Sequence, residues 1–115
     1  MNVALQKTGK FIVPGTSLDE LRAAFRELSD VHGWSPLQTP HNLTLALAGR
    51  VGAIAALLQF TADEPITDET RPGIQAELAD CLVYLMALGD ASGVDLIGSA
   101  TERIRAAIDG SRPPA

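Results

Sequence analysis

A chain of 115 residues, 46% hydrophobic but only 4% aromatic, makes one domain with one core, and its Ala- and Leu-rich composition favours helix over strand. A formal charge of −5 with no basic cluster sets aside nucleic acid as a partner. Cys81, the single cysteine, has no mate for an internal disulfide. A reduced, cytoplasmic chain is therefore expected, with no secretory leader and no charge-free apolar run of about 18 residues that would make a membrane a partner.

Residues 1–16 read as an N-terminal arm, in which Lys10-Phe11-Ile12-Val13 is a short β-prone run closed by Pro14-Gly15. The helical domain is expected over 17–110, with a loose tail at 111–115. Ser17 opens the first helix, and Glu20 three residues on completes a capping box. Leu21, Phe25 and Leu28 form its apolar stripe, and Gly33 after His32 ends it in the left-handed conformation that glycine tolerates. The connector from Trp34 to Asn42 holds two prolines and cannot be helical throughout.

Asn42 is a candidate cap for a second helix over roughly 43–60. That helix is apolar on nearly every side, through Leu43, Leu45, Leu47, Val51, Ile54, Leu57 and Leu58, so it has to be covered on more than one face. In so small a domain, association of subunits is the simplest cover, giving a homodimer or homotetramer. An acidic loop with Pro65 and Pro72 follows over 61–72. A third helix is expected at about 73–92, carrying Leu78, Cys81, Leu82, Leu85 and Leu88 and stopped by Gly93. The fourth, about 95–109, is capped by Asp95 and turns Leu96, Ile104 and Ile108 inward. The sum is an all-α four-helix bundle.

The chemistry concentrates at Glu77 and Asp80. Their i, i+3 spacing puts both carboxylates on one side of the third helix. Two such pairs on facing helices would form an oxygen cage suited to Mg²⁺, a hard cation that prefers carboxylate and water. The facing helix offers Arg50 and Ala53 at the matching positions. A guanidinium can pair with carboxylates, so Arg50 is expected to bond Glu77 or Asp80, within the subunit or across a dimer, in the space of the metal. His32 and His41 have no Cys or His at zinc spacing.

Across residues 18–109 the chain resembles the MazG-like, all-α nucleoside triphosphate pyrophosphohydrolases, and within them the small dCTP-pyrophosphatase branch. The likeness is carried by WSPLQTPHNLTLALAGRVGAIAALLQF and ELADCLVYLMALGDASGVDL. It implies helical subunits that assemble as dimers or pairs of dimers, and cleavage of a (d)NTP, pyrimidines included, to monophosphate and pyrophosphate. It also implies Mg²⁺ held by Glu-x-x-Glu on one helix and Glu-x-x-Asp on the next. The second pair is Glu77 and Asp80, the catalytic and metal candidates; the first falls on Arg50 and Ala53. Among the substrate-binding candidates, Trp34, Asn42 and Tyr84 match the family's pattern. Phe60 stands for a second tryptophan, Arg103 for a lysine, and His41 and Arg50 are further candidates for phosphate contact.

Three readings follow. The chain is a divergent pyrophosphohydrolase with weak or absent Mg²⁺ binding, a nucleotide-binding relative without catalysis, or a purely structural helical dimer.

Overall fold

The computed structural model describes residues 16–61 and 64–110. They form four α-helices, α1 (Leu18–His32), α2 (Pro40–Leu58), α3 (Arg71–Ala91) and α4 (Leu96–Ile108), with a 3-10 turn at Ser35–Leu37 between α1 and α2. No strand occurs among the described residues, and the all-α expectation holds. Apart from Thr16, the arm over 1–16 and the tail over 111–115 lie outside the described residues.

Helix α1 begins as its local sequence dictates. Ser17 Oγ accepts from the Glu20 backbone N–H at 3.1 Å, and Glu20 Oε1 accepts from the Ser17 N–H at 3.2 Å. Two donors that no helical carbonyl can reach are thereby satisfied. At the other end Gly33 takes φ +67°, where a side chain would be strained, and the Trp34 N–H returns to the Ser29 carbonyl at 2.9 Å. Ser29 is buried, and its hydroxyl accepts from Gln38 Nε2 at 3.1 Å, which ties the connector to α1.

Helix α2 starts three residues before the expected Leu43 and ends at Leu58 rather than 60. Asn42 is not its cap. Thr39 is, with Oγ1 accepting from the Asn42 N–H at 3.1 Å, and Pro40 sits at the first helical position, where its missing N–H costs nothing. The Asn42 side chain instead reaches back to donate to the Leu37 carbonyl at 3.0 Å.

Helices α2 and α3 form the main packing pair and run antiparallel: Leu57 lies against Gly73, Arg50 faces Glu77, and Leu43 and Ala46 share a cavity wall with Val83. Leu43, Cys81, Met86 and Ala87 are the buried apolar side chains, and Cys81 is a core residue as its position on the apolar stripe suggested. Helix α3 takes in Arg71 and Pro72, so the acidic loop is shorter than 61–72. Helix α1 is held to α3 where Arg22 Nε and Arg26 Nη2 grip the two oxygens of Asp90, each at 3.1 Å.

Two surfaces remain apolar. The axis bends by 107° between α3 and α4, and no residue of α4 is buried. Asp95 caps α4 as expected, its Oδ1 accepting from the Gly98 N–H at 3.1 Å. Ile104 and Ile108, expected to point inward, instead line an open groove of about 640 Å³ together with Leu82 and Leu85. Buried Gly89 lets Leu96 pack close at the bend, since a Cβ there would sit 3.2 Å from the Leu96 Cβ.

The second surface is α2, on which Leu43 alone is buried. By length and composition alone α2 is also long and apolar enough to cross a membrane, with 6% of its most apolar stretch buried. Arg50 interrupts the charge-free run, but one charge does not disqualify a span. Core helices of soluble proteins share this length and composition, and Arg50 is tied to α3 at the middle of this one.

Candidate nucleotide site

The α2–α3 seam has two ends of different chemistry. Toward the start of α2, a cavity of about 400 Å³ opens between α1, the connector, α2 and α3. That volume lies within the ~300–1,000 Å³ usual for small-molecule pockets. Trp34 and Leu37 from the connector, Phe25 from α1, and Val83 and Tyr84 from α3 form its apolar walls. Asn42, Gln38 and Asp80 provide its polar groups. Helix capping fixes this geometry: Thr39 sets where α2 starts, and the Asn42–Leu37 and Gln38–Ser29 bonds hold the connector over the opening.

One turn further along α2 from Ala46 stands Arg50. Its Nη1 lies 3.3 Å from Glu77 Oε2 and 3.8 Å from Asp80 Oδ2. The ion pair expected from the sequence therefore forms within one subunit. The Glu77 side chain is 21% exposed and that of Arg50 43%, so Glu77 is turned into the seam while Asp80 sits at its edge, shared with the cavity. Ala53, i+3 from Arg50, contributes no carboxylate. Among the described residues no group of three or more His, Cys, Asp or Glu side chains could hold a metal ion. The two carboxylates that a cation would need are already engaged by a guanidinium, so this donor set does not fit Mg²⁺ as the complete cage would.

The structure thus brings Trp34, Asn42, Tyr84, Asp80, Glu77 and Arg50 to one seam. It leaves three other candidates apart. Phe60, past the end of α2, is 90% exposed; His41 lies exposed on the first turn of α2; Arg103 lies exposed on α4. None of the three lines the cavity. Two of the lining residues that the sequence did not single out are Phe25 and Gln38. Phe25 counted only as one residue of an apolar stripe, and Gln38 sat in a connector without periodicity.

A third feature missed in the sequence is the stack of His32 on Trp34, with ring centroids 4.8 Å apart and planes inclined by 16°. Gly33 between them turns the chain so that the two rings can lie face to face.

The chain is similar to dCTP pyrophosphatase 1 of Rattus norvegicus and of Homo sapiens, at 38% identity over 88 residues in each case, covering 72% of this chain. The Bos taurus protein of the same name is 36% identical over 85 residues. The chain covers 52% of the rat and human proteins, about half their length. No family model matches it.

Proposed function

We propose that this chain is a divergent nucleotide pyrophosphohydrolase of the MazG-like superfamily, to which dCTP pyrophosphatase 1 belongs, and that its hydrolytic step is weak or lost. The reaction class is cleavage of a (d)NTP to its monophosphate and pyrophosphate. One observation carries the reading: a cavity of about 400 Å³ gathers Trp34, Asn42, Tyr84 and Asp80 beside Arg50. Trp34 and Tyr84 offer aromatic faces for a base, and the Glu77–Arg50–Asp80 end lies where the sugar–phosphate would emerge.

Weak catalysis follows from the same geometry. Phosphoanhydride hydrolysis calls for positive charge on the phosphates and an activated water, which metal ions supply when bound. Here Glu77 and Asp80 are the carboxylates available to hold a metal or orient a water, and both spend charge on Arg50. Mg²⁺ is proposed to bind weakly or not at all. The decisive assay measures pyrophosphate from a panel of (d)NTPs with Mg²⁺ or Mn²⁺. Turnover at least a hundredfold below the ~10 s⁻¹ of a typical enzyme is expected. Brisk Mg²⁺-dependent turnover would refute the weak-catalysis reading.

The exposed girth of α2 supports a second element of the proposal, a homodimer or homotetramer that covers this helix. Covering by a second subunit suits α2 better than lipid, because a charged residue at the centre of a span costs about 2.5–3.5 kcal/mol or more. The protein is proposed to work in the cytoplasm, on nucleotides rather than nucleic acid. Light scattering at micromolar concentration should show an assembly larger than 12.1 kDa, and a stable monomer would overturn that part. A folded assembly whose melting temperature no nucleotide changes would leave the purely structural dimer standing.

A further inference from the structure

We propose, building on the nucleotide reading above, that this pocket selects for the base and against phosphate, so that without divalent metal its affinity falls from nucleoside to monophosphate to triphosphate. The argument begins with charge. At the phosphate end Arg50 carries +1, and Glu77 and Asp80 together carry −2, which leaves −1 where an anion would have to lie. The guanidinium reaches both carboxylates through the same nitrogen, Nη1, so it is shared between them rather than presented outward as an unopposed cation.

Among the described residues no other cation compensates, and neither lysine nor arginine lines the cavity. Among the described residues Arg22, Arg26, Arg50, Arg71 and Arg105 are each ion-paired to a carboxylate, and Arg103 lies away on α4. The cavity's own polar groups point to the same conclusion. Asn42 and Gln38 each spend one side-chain N–H on Leu37 and Ser29, which leaves one N–H and the carbonyl oxygen of each, and Asp80 adds a carboxylate. A pocket whose charged lining group is the Asp80 carboxylate suits a neutral heterocycle bearing N–H groups. It repels an anion. The ligand class is therefore a nucleoside or, less tightly, a nucleoside monophosphate.

The test is calorimetric titration of the full chain in EDTA with deoxycytidine, dCMP and dCTP, repeated with the thymidine and deoxyadenosine series. Deoxycytidine should bind most tightly, with Kd rising at least tenfold across its series. Raising NaCl should tighten dCTP, because salt screens repulsion between the phosphates and the carboxylates. Glu77→Gln, which brings the local charge to zero, should shrink the ratio of dCMP to deoxycytidine Kd about fivefold. The proposal is overturned if dCTP binds most tightly in EDTA, if its affinity falls with salt, or if Glu77→Gln leaves the ratio unchanged. Failure of every ligand in every series to bind would overturn the nucleotide reading itself, and this proposal with it.

Discussion

The two ends of the α2–α3 seam lie about one helical turn apart, yet they have fared differently. At the cavity end, Trp34, Asn42 and Tyr84 line the pocket proposed to take the base, and the connector is pinned by hydrogen bonds from Asn42 and Gln38. At the carboxylate end, Glu77 and Asp80 keep their places but close on Arg50. A pocket made by packing and capping survives substitution because many contacts share the task. A charge site does not, since exchanging one acid for a base reverses the local field. The seam is thus proposed to hold its shape while its chemistry changes.

The sharpest way to break the contrast is to rebuild the acidic end. Arg50→Glu with Ala53→Glu restores the full carboxylate set of the resemblance, and Mg²⁺ affinity by calorimetry should rise at least tenfold. Mg²⁺ at a hundredfold excess over its Kd would then stabilise the fold by about 2.7 kcal/mol, visible as a metal-dependent rise in melting temperature. Removing the pair without replacing it is milder. Arg50→Ala should cost about 1–2 kcal/mol in chemical denaturation, less than the ~3–5 kcal/mol for breaking a fully buried pair, because Arg50 is 43% exposed.

At the cavity end, Trp34→Ala should weaken deoxycytidine about tenfold, or ~1.4 kcal/mol, with little change in stability, since Trp34 is 40% exposed. An unchanged affinity would remove the indole from the base site. The smallest effect is expected for Thr39→Ala, which takes away the α2 cap and should cost about 1 kcal/mol of stability in urea.

Much of this was legible in the residues, and what failed did so for identifiable reasons. The Ser17–Glu20 box and the Gly33 stop are local: the groups that form each bond lie within a few residues of one another. The start of α2 was misplaced because Asn42 is as good a capping residue as Thr39. Only the connector, by drawing the Asn42 amide toward Leu37, decides between them. The outward course of α4 was hidden, because an amphipathic pattern tells which face is apolar and not what will cover it. Glu77, Asp80 and Arg50 could be read from helical spacing and from the resemblance. The separation of Phe60, His41 and Arg103 from the cavity could not, since matching residues position by position carries no distances.

The stack of His32 on Trp34 gives the protein an optical property. Trp34 is the only tryptophan in the chain, so its emission comes from one place, the rim of the cavity, with an imidazole against one face. A ligand entering the cavity changes the surroundings of a single indole, and no second tryptophan dilutes the signal. The native chain is its own fluorescent probe of occupancy, and its spectrum can be followed without a label in solutions too dilute for calorimetry.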